Sequence, residues 1–277
     1  MSRIENAFKN GKAFIGFLTA GDPSLDKTEE FVLEMANAGA DLIEIGVPFS
    51  DPIAEGSVIQ EANIRALSAG CTVEKVFETV KKIRTKTDIP LVFLTYLNPV
   101  FHYGYEAFMK RCNECGVDGL IIPDMPYEEK GEILPFAKSH NIDIISMIAP
   151  TSAKRIEMIA KEATGFIYVV SSMGVTGVRS EIKTDLESII KVIKESTNTP
   201  AAIGFGISTP EQAKHFSEFA DGVIVGSAIV KIIAEYGEDA TSHLYDYVKS
   251  MKEANVKNTD SVSYTHLRAH ETLSDLV

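Results

Sequence analysis

Glu44 stands inside an apolar run, LIEIGVPF, and two further acids, Asp51 and Glu55, follow in the short loop SDPIAEG. A carboxylate buried among Leu, Ile and Val is costly unless a cation pairs with it or its pKa rises. Two readings of Glu44 are open at this level. It is either half of a structural ion pair or a general acid/base poised by apolar surroundings. Asp51 has a simpler role available as the cap of a turn before Pro52, and Glu55 as a solvated loop charge. Pro48, Pro52 and Gly56 around them describe a shaped lid, which favours chemistry for both acids.

A second group of residues could hold an anion. The segments YVVSSMGVTGVRS, IGFGIS and VIVGSAIV end apolar runs in glycine. Glycine lets the backbone approach an anion closely, and the first N–H groups of a following helix bind it. The glycines of these three segments are the candidates, and convergence of the three loops at one rim would give a pocket for a phosphorylated small molecule. Each glycine alone is equally a tight turn. Neither a P-loop nor a dinucleotide fingerprint is present, so no nucleotide is indicated. Tyr168, late in its apolar run, is either core or an active-site hydroxyl. Cys112 and Cys115 lie at i and i+3 of a helical stretch from Glu106 to Gly116, which favours packing over metal binding or redox chemistry. His102, His140, His215 and His243 have no ligand spacing, and no metal site is expected.

These residues need a frame that gathers them. Apolar, β-branched runs fall at Ala13–Thr19, Asp41–Val47, Pro90–Tyr96, Asp118–Pro123, Ile142–Ala149, Gly165–Ser171, Pro200–Gly206 and Asp221–Gly226. Each is followed by a stretch with apolar spacing of three and four, starting at Ser, Thr or Asp. Runs without strict alternation suit parallel strands buried on both faces. GADLIEIG, GVDGLIIPD and FADGVIVGS share an Asp at the strand start, whereas TDIPLVFL, HNIDIISM and TNTPAAIG share a polar-to-Ile/Pro start. A period of two units fits a barrel in which alternate strands fill alternate core layers. The expectation is a single-domain α/β protein, a (β/α)8 TIM barrel, with its site at the C-terminal ends of the strands. A doubly wound open sheet is the alternative, and it would need a Gly-rich turn after the first strand where this chain has TAGDPS.

With 277 residues, 45% hydrophobic and 24% charged, the composition is that of a globular protein. A net charge of −12 argues against nucleic acid as a partner. No apolar run is long enough to span a membrane, the first residues are polar rather than a secretory signal, and the three cysteines form no disulfide framework, so a cytoplasmic protein is expected. The barrel is expected over residues 1–258. Residues 259–277 break the pattern: VSYTHL and LRAHET are translations of one reading frame of a transposon-end adapter used in sequencing libraries. The tail reads as non-native, and its His266 and His270 as an imitation of half a metal site.

At GFLTAGDP, LIEIGVPFSDPIAEG, IIPDMP, YVVSSMGVTG and IGFGIS with DGVIVGSAIV, the chain resembles the tryptophan synthase alpha subunit family, from about Ser2 to about Lys257. The resemblance implies a barrel that cleaves indole-3-glycerol phosphate to indole and glyceraldehyde 3-phosphate by a retro-aldol reaction. It implies an αββα complex in which the beta subunit, not this chain, carries pyridoxal phosphate. It makes Glu44 the acid/base, Glu55 the group engaging the indole N–H, and Asp51 and Asp124 acids of the partner interface and loop closure. Phe17 and Ile59 fall at indole-pocket positions, Tyr168 at the site tyrosine, Thr176 at the lid threonine, and Gly177, Gly206, Gly226 and Ser227 in the phosphate pocket. Three departures are visible: Glu55 where the family often has Asp, Ser57 where it often has Pro, and Ser172 where some members have a basic residue. The alternatives are a stand-alone lyase that needs no beta subunit and a non-catalytic activating subunit of the same fold.

Overall fold

The computed structural model describes residues 2–170, 185–204 and 206–256. All strand pairings are parallel. The strands are β1 (Ala13–Thr19), β2 (Leu42–Gly46), β3 (Leu91–Leu94), β4 (Gly119–Ile121), β5 (Asp143–Ile144), β6 (Ser146–Ile148), β7 (Ile167–Val170), β8 (Ala201–Gly204) and β9 (Gly222–Val225). Their spatial order is β5-β4-β3-β2-β1-β9-β8-β7-β6. Every neighbour in space is a neighbour in sequence except at β1–β9, where the ring closes. No point exists at which strand order reverses, so the open doubly wound sheet is excluded.

The run expected as one strand from Ile142 to Ala149 is divided. Its first half pairs with β4 and its second with β7, and Ile145 between them donates its N–H to Leu120 O at 2.9 Å. The chain changes partner within five residues, so this position closes the barrel with two short ladders. β7, β8 and β9 therefore fill the sixth, seventh and eighth positions.

Helices α1 (Arg3–Ala7), α2 (Leu25–Asn37), α3 (Ser57–Ser68), α4 (Val73–Arg84), α5 (Leu97–Tyr103), α6 (Tyr105–Cys115), α7 (Leu134–Ser139), α8 (Ala153–Lys161), α9 (Leu186–Ser196), α10 (Pro210–Ser217), α11 (Ser227–Tyr236) and α12 (Thr241–Val256) complete the described chain. Ser24, Thr72, Ser152, Asp185 and Thr209 cap five of them, each side chain accepting the N–H three residues on. Such caps are typically worth ~1 kcal/mol each. Cys112 and Cys115 are buried free thiols on α6, as their spacing implies.

Strand alternation builds two cores. Phe14, Leu18, Ile43, Ile45, Leu91 and Phe93 point outward to the helices, whereas Ala13, Ile15, Leu42, Val92 and Ile121 point into the barrel. Helix α1 stoppers the N-terminal end with Ile4, fully buried, and Phe8 lies against Phe166 at 5.8 Å. Burying such side chains stabilises by ~1.5–3 kcal/mol each.

The repeated Asp at strand starts has a physical role. Asp41 accepts the N–H of Phe14 at 2.6 Å through its carboxylate and donates its own N–H to Phe14 O. Asp118 makes the same two-point contact with Leu91, and Asp221 with Ala201. A cation neutralises each: Lys252, Arg84 and Lys194 respectively. Each Asp thus pins the register of the strand before it. Asp118→Ala would remove the carboxylate paired with the half-buried Arg84 head and the acceptor of the Leu91 N–H. A loss of ~2–4 kcal/mol is expected by urea unfolding, and an unchanged midpoint would show that the pins are decorative.

Candidate functional site

The inward positions change character toward the C-terminal ends of the strands. Below lie Ile15, Leu42 and Val92; above lie Phe17, Glu44 and Leu94. A cleft partly open to solvent begins at that level. Its walls are mostly apolar, and Phe17, Glu44, Glu55, Ile59, Tyr168, Gly206, Gly226 and Ser227 all line it.

Glu44 is 1% exposed. Neither of its carboxylate oxygens has a hydrogen-bond partner among the described residues. Burial pushes its pKa up to about 8. No cation among the described residues pairs with it, which leaves the ion-pair reading without support there. Tyr168 shares the cleft, and burial followed by the charge of Glu44 raises its phenol well above the ordinary value. It stays a protonated donor.

Glu55 is 7% exposed and not a solvated loop charge. Asn63 Nδ2 donates to its Oε2 at 2.6 Å, and the Tyr96 hydroxyl hydrogen-bonds the same carboxyl group. Burial raises its pKa to about 7 against the pull of both partners. The loop itself is tied down, because Gln60 Nε2 donates to Glu55 O at 2.7 Å and Ala54 N–H donates to the Tyr96 hydroxyl at 3.1 Å. Ser57 is the first residue of α3, the position where proline is favoured in helices generally.

Glycines make room for the two aromatic walls. A Cβ on Gly204 would lie 2.5 Å from the Tyr168 hydroxyl, and one on Gly46 would lie 2.7 Å from Phe17 Cζ. Gly46→Ala should cost ~1–3 kcal/mol by overcrowding and push Phe17 into the cleft. Adding Phe17→Leu should restore stability in urea unfolding. If the single variant is as stable as the parent, the ring does not rest on Gly46.

At the other side of the cleft α11 starts at Ser227, and its cap residue Gly226 supplies no side-chain acceptor for the first N–H groups. Gly206 has φ 85°, a left-handed conformation suited to glycine. Asp51 is exposed and accepts from the Ser50 hydroxyl. Asp124 accepts the N–H of Leu97, the first residue of α5, at 2.9 Å. Neither acid lines the cleft. Thr176 and Gly177, with Ser172, lie outside the described residues.

The family model for the tryptophan synthase alpha chain matches residues 4–259. The chain belongs to the tryptophan synthase alpha chain family. It is 51% identical over 254 residues to the alpha chain of Lacticaseibacillus casei, covering 92% of this chain and 96% of that one. The alpha chain of Lactiplantibacillus plantarum is 52% identical over 255 residues, with the same coverage. Among solved structures, the alpha chain of Legionella pneumophila superposes with a TM-score of 0.85 at 34% identity, over 94% of this chain and 99% of that one. A chain of the tryptophan synthase complex of Pyrococcus furiosus gives 0.81 at 36% identity, over 88% and 99%. The place of this family is tryptophan biosynthesis.

Two residues of the site were not singled out in the sequence. Tyr96 ends the third predicted strand, where the rule that sites lie at strand ends points directly. Asn63 sits one turn after Ile59 on the buried stripe of α3, among Ile59, Ala62 and Ala66. A polar residue in an apolar helix stripe is the signal for it. No helix among the described residues is long and apolar enough to cross a membrane. No group of three or more His, Cys, Asp or Glu among them is placed to hold a metal ion.

Proposed function

We propose that this chain cleaves indole-3-glycerol phosphate to indole and glyceraldehyde 3-phosphate, with Glu44 as acid/base and Glu55 as electrostatic partner. The observation that carries the reading is a buried Glu44, with no hydrogen-bond partner among the described residues, lining an apolar cleft at the C-terminal ends of the strands. Its raised pKa leaves it protonated near neutrality, ready to donate.

The carboxyl proton of Glu44 passes to indole C3, and the ring becomes an indolenine with positive charge on nitrogen. Ionised Glu55 stabilises that charge. The carboxylate of Glu44 then takes the hydroxyl proton from the adjacent side-chain carbon as the carbon–carbon bond breaks. The bond's electron pair returns to the ring, the carbonyl of glyceraldehyde 3-phosphate forms, and Glu44 ends protonated as it began. Phe17, Ile59 and Tyr168 would hold the indole. The uncapped start of α11 at Gly226 and Ser227, with Gly206 and Gly177, would hold the phosphate, whose binding far from the reacting bond supplies positioning energy. Thr176 would close the lid.

This chemistry asks for no cofactor in this chain, pyridoxal phosphate being assigned to a beta partner. Ile53 and Phe101 support such a partner: both are large apolar side chains, 72% and 67% exposed, on the loop after β2 and on α5. Asp51 and Asp124 belong to the same rim, in a cytoplasmic setting. The test is indole release by the purified chain with and without a beta subunit. Release in both arms, stronger with the partner, is expected. Equal rates would favour a stand-alone lyase, and no indole in either arm would leave only an activating subunit.

A further inference from the structure

The two glutamates of the cleft share one apolar environment but differ in what touches them. Glu44 has no hydrogen-bond partner among the described residues, whereas Glu55 has Asn63 and Tyr96. Asn63 is 4% exposed and reaches Glu55 from the inner face of α3. Tyr96 comes from the end of the third strand position, and its ring lies 5.4 Å from that of Phe49. One hydroxyl therefore meets the Ala54 N–H and the Glu55 carboxyl together, while Asp124 holds the next backbone N–H, at Leu97.

An amide N–H can only donate, so Glu55 Oε2 has to be an acceptor in this contact. A carboxyl group so engaged is favoured in its ionised form. The reach matters as well. An aspartate on the same backbone is shorter by one C–C bond, ~1.5 Å, which opens the 2.6 Å contact beyond hydrogen-bond range.

We propose that Asn63 and Tyr96 are positioning residues that hold Glu55 as the acceptor of the site and so reserve the donor role for Glu44. The longer side chain at position 55 is matched to the reach of Asn63. The inference rests on the roles given to the two glutamates above. It accounts for their inequivalence, since both are buried and hydrogen bonds from the described residues reach Glu55 alone. Among the described residues, the other titratable groups lining the cleft with Glu55 are Glu44 from β2 and Tyr168 from β7; Tyr96 bonds Glu55 directly, and Asp124 acts on Tyr96 from the loop after β4.

The experiment uses the full chain with its beta partner and compares Asn63→Leu and Tyr96→Phe in the parent and in Glu55→Asp. Indole release is followed across pH, and the carboxyl carbon of Glu55 is titrated by NMR. In the parent, each variant should lower kcat about tenfold with KM little changed, and move the acidic limb and the Glu55 titration upward by about one pH unit. In Glu55→Asp, Asn63→Leu should cost less than a further twofold, because the contact is already gone. An unmoved Glu55 titration in both variants, or equal losses in both backgrounds, would reduce these residues to packing and overturn the proposal. Tyr96→Phe keeps the question decidable if Asn63→Leu does not fold. A parent that releases no indole rejects the assigned reaction itself, and the proposal falls with it; a moved Glu55 titration without indole would still separate the hydrogen bonds from the chemistry.

Discussion

Glu44→Gln is expected to abolish indole formation while the barrel and its affinity for inorganic phosphate persist. Glutamine keeps the volume of the side chain but has no proton to give or take near neutrality. A positioned acid/base contributes ~10²–10⁴ in rate, and here one group serves two transfers, so the loss should reach the upper end. Near-normal turnover would remove Glu44 from the mechanism. The same variant has a signature in stability. Glu44 is held at about 8 in the folded chain against an ordinary value of 4.5. A folded state that binds the extra proton is favoured below the unfolded value and loses that advantage as pH rises through the folded one. Parent stability should therefore fall by up to roughly 4 kcal/mol relative to Glu44→Gln between pH 4.5 and 8. Urea midpoints that run parallel across pH would show that Glu44 is hydrated.

The second large effect is at Glu55. Removal of one preorganised electrostatic contact costs ~10²–10³ in kcat, and Glu55→Ala should fall in that range. A change confined to KM would contradict a role in the transition state. The pH profile sharpens the test. Burial holds Glu55 at about 7, and it acts ionised, so activity falls as pH drops through that value. Glu44 sits at about 8 and acts protonated, so activity also falls as pH rises through it. The profile of kcat/KM should be a narrow bell whose limbs belong to the pair. In Glu55→Ala the acidic limb should vanish and the basic limb remain. A surviving acidic limb would mean that another group sets it.

Much of this arrangement was legible before any coordinates. Parallel strands buried on both faces leave continuous β-branched runs, and the eight runs identify the eight barrel positions. Glu44 is conspicuous because an apolar strand tolerates a carboxylate only where a cation pairs with it or its pKa is raised. Other features were not legible because they arise between elements. The division at Ile145 depends on which strands flank it, information absent from the segment itself. Asn63 and Tyr96 become meaningful only when α3 and the end of the third strand converge on one loop. Glu55 reads as an acid of a shaped lid, and its burial and partners appear only when the cleft closes around it. The Asp repeat was visible as a pattern, but its cause, a two-point grip on a neighbouring strand, required the register.

That grip has a consequence for how such a chain tolerates rearrangement. Each pin joins a strand to the one that follows it: β1 to β2, β3 to β4, and β8 to β9. Three of the four cassettes of two strand–helix units therefore carry their own registration mark. Duplication, exchange or circular permutation by whole cassettes leaves each of these marks intact. A cut between a strand and its pinning Asp separates a mark from what it registers. The chain is partitioned, for recombination, into pairs.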